Sequence, residues 1–260
     1  MNKNFEEIIT LIINAGELIE NYQKKFTITN KDDNTPVTEA DIETSNYLKN
    51  NILKLFPNDV VFTEEDYTKL NFNKRTWLID PLDGTKFFIE GKDTYSIILS
   101  CIENGVPVFG VIYYPKKKLY YYAQKGLGTY FVDKNGNTIK INLNENKGKI
   151  SSVYKPSALK YEETLKLIEK MKKFGEVNEL RPSGYICTEI LSNNYDILIL
   201  GGGKIFELGA MDILFNETGG FFGDLNGNRL KYKNDIIRFN FGCIGTINKG
   251  LLNSPSLFNK

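Results

Sequence analysis

Phe5, Ile8, Ile9, Ile12, Ala15, Ile19 and Tyr22 recur every three or four positions, the apolar stripe of an amphipathic helix over residues 4–23. Residues 27–35 are polar and read as a turn. Thr38 then stands where it can cap a second helix running to about Asn51, with Asp41 in its first turn and Pro57-Asn58 beyond its end. Val60-Val61-Phe62 makes a short strand ending at Thr63-Glu64-Glu65. Trp77-Leu78-Ile79 is an unbroken apolar run, which predicts a buried strand that carries Asp80 at its end and stops at Pro81. Residues 95–102, 106–114, 119–123 and 128–132 alternate with Asn104-Gly105, residues 115–118 and Lys125-Gly126, the rhythm of an antiparallel meander.

The pattern turns helical again over residues 162–174, 185–192 and 209–218, with a strand over 196–200 and short strands toward the end. Polar residues 142–149 suggest a boundary. The expected organisation is residues 1–147, helices plus a largely antiparallel sheet, and residues 148–260, a smaller α/β lobe. With 260 residues the chain can bury a large core.

Composition narrows the chemistry. The absence of histidine excludes a phosphohistidine, a Ser-His-Asp arrangement and His-ligated zinc. Hydrolysis must then use carboxylates, hydroxyls, lysine, arginine and oxygen-bound metal, which favours Mg2+ or Mn2+. A net charge of +1 provides no general field for a nucleic acid polymer or an anionic membrane. Cys101, Cys187 and Cys243 sit in apolar stretches without metal-type spacing and read as reduced core residues of a cytoplasmic protein. The N-terminus has no signal pattern, and no apolar run approaches the length of a membrane span.

Residues 77–88 carry the strongest signal. Asp80 and Asp83 flank a proline, and Asp83 leads into Gly84-Thr85. If Thr85 opens a helix, acids able to hold hard cations lie beside N–H groups able to hold a phosphate. That is the composition of a metal-dependent phosphoryl-transfer site. Lys116-Lys117-Lys118 followed by Tyr120-Tyr121-Tyr122 reads as an edge strand rather than a nucleic-acid surface. Gly201-Gly202-Gly203-Lys204 lacks the spacing of a nucleotide P-loop and reads as a flexible turn.

Asp80-Pro81-Leu82-Asp83-Gly84-Thr85, the upstream Thr63-Glu64-Glu65 and Pro36-Val37-Thr38-Glu39-Ala40-Asp41 together resemble the inositol monophosphatase superfamily. Its members are lithium-sensitive, magnesium-dependent phosphomonoesterases. The resemblance implies a layered αβαβα sandwich of the inositol monophosphatase and fructose-1,6-bisphosphatase type, an α/β (α+β) fold with its site at a junction of two lobes. Lys31–Thr38 and Asp83–Phe88 look most like the 3'(2'),5'-bisphosphate nucleotidase branch. The implied substrate is adenosine 3',5'-bisphosphate. The alternatives are an inositol monophosphatase, another sugar-phosphate phosphatase, or a catalytically weakened binder of phosphorylated metabolites. A homodimer is also in keeping with the resemblance.

The same resemblance implies roles. Glu64, Asp80 and the Leu82 carbonyl hold an activating Mg2+, and Asp80 and Asp83 hold a second, with Mn2+ as an alternative cation. Thr85 and Glu64 orient the attacking water, with Thr38 and Asp41 behind them, Asp41 either accepting from the water or completing a third metal site. Asp83, Gly84, Thr85 and Lys86 bind substrate at its phosphate; Ser183, Gly184 and Lys204 lie where substrate is contacted. Lys204 taken alone is a solvated loop lysine. One position departs from the family: in Phe206-Glu207-Leu208-Gly209-Ala210-Met211, Glu207 stands where the family has an aspartate ligand, and the resemblance implies that it ligates the second metal in that aspartate's place. Asp212, five residues on, does not share a helical face with it.

Overall fold

Alternate side chains of one strand feed two separate cores, and this sets the architecture. The computed structural model describes residues 3–30, 36–67, 69–145 and 149–252. In chain order, α1 (Lys3–Tyr22) precedes the hairpin β1 (Ile28–Asn30) and β2 (Pro36–Thr38), α2 (Glu39–Leu55) and β3 (Val60–Thr63). Next come β4 (Thr76–Asp83), the short α3 (Thr85–Ile89), β5 (Ser96–Glu103), β6 (Val106–Tyr114), β7 (Leu119–Gln124), β8 (Gly128–Val132) and β9 (Thr138–Ile141). The second half holds β10 (Ser152–Tyr154), a 3-10 turn (Pro156–Lys160), α4 (Glu162–Met171), β11 (Val177–Glu179), α5 (Ser183–Leu191), β12 (Ile197–Leu200) and β13 (Gly203–Lys204). It ends with α6 (Ile205–Asn216), β14 (Phe221–Asp224), β15 (Arg238–Phe239), β16 (Cys243–Thr246) and α7 (Lys249–Leu252).

Strands β3 to β9 form a seven-stranded sheet in sequence order, parallel only between β3 and β4. Trp77 and Ile79 point to one face, where they pack with Ile8, Ile12 and Ile19 of α1 and Leu48 and Ile52 of α2. Leu78 points to the other face, against Ile186 and Ile190 of α5 and Phe206, Met211 and Leu214 of α6. A five-stranded sheet, β11-β10-β12-β16-β14, covers those helices from the far side. Its Leu198 and Leu200 join the same core, while Ile197 and Ile199 turn outward to Leu167 and Ile168 of α4. The layers are therefore helix, sheet, helix, sheet, helix. Helix α6 lies at the centre, which is why it is apolar around most of its circumference. No helix among the described residues is long and apolar enough to cross a membrane.

Several expectations are corrected. The segment read as a polar turn includes strand β1, which pairs with β2; residues 31–35 are outside the described residues. The meander has a further strand, β9, missed because Thr138–Ile141 lies at a solvent-facing sheet edge and carries little apolar signal. Helix α6 begins at Ile205, not Gly209, so Glu207 falls in its first turn. Pro81 does not end β4; the strand continues to Asp83 through a register shift. The tyrosine-rich β7 is not an edge strand, because β6 and β8 flank it. The triple glycine is not a loose turn: a Cβ on Gly201 would stand 2.0 Å from the Ser157 carbonyl oxygen, and Gly202 has φ +72. The boundary expected at residues 147/148 lies outside the described residues, and one core cluster draws on both sides of it.

Asp212 is buried in α6, hydrogen-bonded to Asn216 and near Arg229. Burial pushes its carboxyl up to about 7, and Arg229 offsets that only partly. A folded pKa above the unfolded value of about 3.9 means stability held at acid pH is lost as pH rises toward about 7. The melting temperature of Asp212→Asn should therefore gain on the wild type across that window and hold a constant difference above it. The slope is at most about 1.4 kcal/mol per pH unit, and a difference independent of pH would contradict the assignment.

Candidate active site

The acidic strand end is built by a change of register. Thr63 of β3 pairs with Ile79 of β4, and the Glu64 N–H donates to the Ile79 carbonyl at 3.0 Å, so Glu64 leaves its strand beside Asp80. Against β5, Asp80 pairs with Ile98 but Asp83 with Ser96, three steps on one strand for two on the other. This bulge re-aims the Asp80–Asp83 segment out of the sheet. The Leu82 N–H donates to Asp80 Oδ1 at 3.1 Å and holds the bend. Gly84 then takes φ +89, a left-handed conformation, and starts α3.

Thr85 ties this turn to the start of α2. Its hydroxyl donates to Asp41 Oδ1 at 2.8 Å and lies 3.2 Å from the Leu82 carbonyl oxygen. Asp41 Oδ2 accepts from the Thr38 backbone N–H at 2.8 Å and from the Thr38 hydroxyl at 2.6 Å. Thr38, Asp41 and Thr85 thus form one hydrogen-bonded chain ending at the acidic turn.

The opposite wall is the start of α5. The Gly184 N–H donates to Asp83 Oδ2 at 2.6 Å and the Ser183 N–H to Asp83 Oδ1 at 3.3 Å. Ser183 Oγ donates to Glu207 Oε2 at 2.7 Å and accepts from the Lys155 ammonium, which also reaches Glu207 Oε2 at 3.1 Å. Lys204 Nζ donates to Glu64 Oε1 at 3.0 Å, so the expectation of a solvated loop lysine is corrected. Asp212 has different partners, Asn216 and Arg229, and takes no part here.

Electrostatics follow from this crowding. Burial pushes the Asp83 carboxyl up to about 7, Glu207 and Glu64 push the same way, and Lys155 and the Gly184 N–H pull back. Burial also disfavours charged Glu207, but Lys155, Ser183 and Lys204 outweigh it and hold its carboxyl below the usual range. Burial likewise opposes charge on Lys155, yet Glu207, Asp83 and Asp80 keep its ammonium above the usual value. Acids and lysines interlock as a buried network.

Among the described residues, no group of three or more acidic or cysteine side chains forms a ready cation cage. The donor chemistry nonetheless suits a hard cation on one side: Glu64, Asp80, Asp83 and the Leu82 carbonyl are all oxygen donors at one strand end. Glu207 differs from them in that one of its oxygens, Oε2, is held by two side chains at once, Lys155 and Ser183.

The structure gathers Thr38, Asp41, Glu64, Asp80, Leu82, Asp83, Gly84, Thr85, Ser183, Gly184, Lys204 and Glu207 into this region. The Lys86 side chain is 73% exposed, 4.0 Å from Glu90, and borders the cavity beside the acidic turn rather than the turn itself. Sequence reasoning missed Lys155, Lys92 and Arg181. Together with Asp83, Lys86 and Phe87 they line a cavity of about 440 Å3. A lysine closing a strand just before Pro156 was the available cue for Lys155, the same cue that singled out Asp80 before Pro81.

A Cβ on Gly84 would stand 2.8 Å from Pro182 Cγ, in a backbone conformation that side chains resist. Gly84→Ala should lower the unfolding free energy by about 1–3 kcal/mol in a denaturant titration. An unchanged midpoint would show that this turn is not held as described.

Comparison with known proteins agrees with the geometry. Residues 2–245 match the inositol monophosphatase family. A 3'(2'),5'-bisphosphate nucleotidase CysQ of Aggregatibacter actinomycetemcomitans is 32% identical over 234 residues, 87% of this chain and 86% of that protein. An inositol monophosphatase of Thermotoga maritima superposes with a TM-score of 0.79 at 24% identity, covering 95% of this chain and 92% of the other. An IMPase/NADP phosphatase complexed with Mg2+ and phosphate gives 0.78 at 18% identity, covering 94% and 90%. The chain belongs to the inositol monophosphatase family, and with it to the phosphomonoester hydrolases.

Proposed function

We propose that this phosphomonoesterase depends on Mg2+ and removes the 3'-phosphate of adenosine 3',5'-bisphosphate. The observation that carries the reading is the hydrogen-bonded chain Thr38–Asp41–Thr85, which ends beside Asp80 and Asp83. In this reading Glu64, Asp80 and the Leu82 carbonyl would hold the cation, with Asp83 beside them. A bound Mg2+ supplies positive charge to the phosphoryl oxygens and makes water acidic enough to attack at neutral pH. The Thr85 hydroxyl donates its hydrogen bond to Asp41, so its lone pairs are oriented to accept from the attacking water. Gly84 and Thr85 N–H groups would bind phosphate oxygens. Water attacks phosphorus and releases a proton to solvent, the bond to the ribose 3'-oxygen breaks, and that oxygen takes up a proton from solvent to leave as the alcohol.

The substrate assignment has separate support. The adjoining cavity is lined by Lys86, Lys92, Lys155 and Arg181 around Phe87, with one acid, Glu90, which Lys92 meets at 2.6 Å. Cations beyond the acidic turn suit a substrate with a second anionic group, and an aromatic ring suits a nucleobase. The bisphosphate nucleotidase among the relatives points the same way. Buried, unpaired cysteines suit a reducing compartment, so we place the enzyme in the cytoplasm.

Asp83→Asn should leave the fold intact and lower Mg2+-dependent kcat roughly a thousandfold, because charge stabilisation at the leaving oxygen weakens. Near-normal turnover by the folded variant would remove Asp83 from the site. With Mg2+ held constant, kcat/KM should favour adenosine 3',5'-bisphosphate over inositol 1-phosphate by at least about tenfold, roughly 1.4 kcal/mol. A clear preference for inositol 1-phosphate would transfer the assignment to that substrate.

A further inference from the structure

Glu207 occupies the position where a second divalent cation would need a carboxylate, and it is already bound to a cation of the chain itself. We propose that the Lys155 ammonium is a built-in counter-cation that takes the place of that second divalent ion, so that this chain binds one divalent cation where its acids would otherwise bind two. The inference rests on reading the site as a cation-dependent hydrolase.

The geometry is that of a fixed contact rather than a passing one. Lys155 Nζ lies 3.1 Å from Glu207 Oε2 and also donates to Ser183 Oγ, which itself donates to the same Glu207 oxygen at 2.7 Å. Three side chains from three elements thus close on one point. Each is anchored by backbone: the Lys155 N–H donates to the Ile199 carbonyl at 3.1 Å, its carbonyl accepts from Ala158 at 2.8 Å, and Pro156 follows it. The Ser183 N–H is held on Asp83, and Glu207 sits in the first turn of α6. The pair is largely shielded, with side chains 27% and 14% exposed, so water screens it weakly.

Two lysines reach into the acidic site, Lys155 at Glu207 and Lys204 at Glu64. The two lysines differ in consequence. Lys204 approaches Glu64 from one side through a single contact, whereas Lys155 and Ser183 together hold the Glu207 carboxylate. Mg2+ at Glu207 would separate the Lys155 ammonium from its carboxylate partner and leave it Ser183 Oγ as hydrogen-bond partner in a largely shielded place.

The test is a count of bound cations, which needs no turnover. Chelator-treated wild type, Lys155→Gln and Lys155→Arg are titrated with Mn2+, bound ion being read by calorimetry and by the loss of the free Mn2+ electron paramagnetic resonance signal. The expected result is one tight Mn2+ per wild-type chain, one for Lys155→Arg, and a second for Lys155→Gln with a Kd at least tenfold below any second-site Kd of the wild type. Equal stoichiometry and affinity in wild type and Lys155→Gln would overturn the proposal while leaving cation dependence standing. Two tight ions in the wild type alone would overturn it too, whatever the variants do. Absence of Mn2+ binding in every protein would instead overturn the cation-dependent reading on which it rests.

Discussion

Burying like-charged carboxylates together is the constraint on which the rest of this molecule depends. Asp80 and Asp83 are nearly inaccessible at the end of a fully buried strand, and burial, then Glu207 and Glu64, raise the Asp83 carboxyl. A carboxylate taken from water without compensation costs several kcal/mol. The fold supplies that compensation from every side. Helix α5 turns two backbone N–H groups onto Asp83, the Asp80–Asp83 bulge folds an N–H back onto Asp80, and a lysine just after β10 and another in β13 meet Glu207 and Glu64. The layered arrangement brings these groups together: the seven-stranded sheet supplies Asp80, Asp83 and the strand end at Glu64, α6 supplies Glu207, and α5 supplies the N–H donors.

Much of this was legible in the sequence, and the reasons are specific. Trp77-Leu78-Ile79 announced a buried strand because both faces of β4 are covered, so no polar alternation interrupts the run. The meander was readable because Asn104-Gly105 and Lys125-Gly126 place glycine where φ must be positive. Strand β1 was missed because three residues of Ile-Thr-Asn carry no periodicity and are defined only by pairing with β2. Pro81 misled for a physical reason: a proline ends a regular ladder, but at a bulge its missing N–H costs no hydrogen bond.

The site was legible as far as short-range motifs reach. Asp80, Asp83 and Thr85 declared themselves by spacing, and Glu64 by its strand end. What spacing could not reveal was Lys155, which meets Glu207 across 52 residues, or Lys204, which meets Glu64 across 140. Lysines are common, and nothing local separates one on the surface from one aimed into an acidic pocket. Glu207 itself was visible as a departure from the family pattern. Its physical meaning emerged only with its partner, because a longer acid beside a buried ammonium is a different site from a longer acid beside a metal.

A hard cation held by the strand-end acids, with Glu207 bound to Lys155 and Ser183, is the central claim. Anomalous diffraction from crystals soaked in Mn2+ addresses this most directly. The account predicts one strong anomalous peak within coordinating distance of Glu64, Asp80 and the Leu82 carbonyl, with Lys155 still on Glu207. A soaked crystal with no peak there, or a peak of equal height ligated by Glu207, would contradict it.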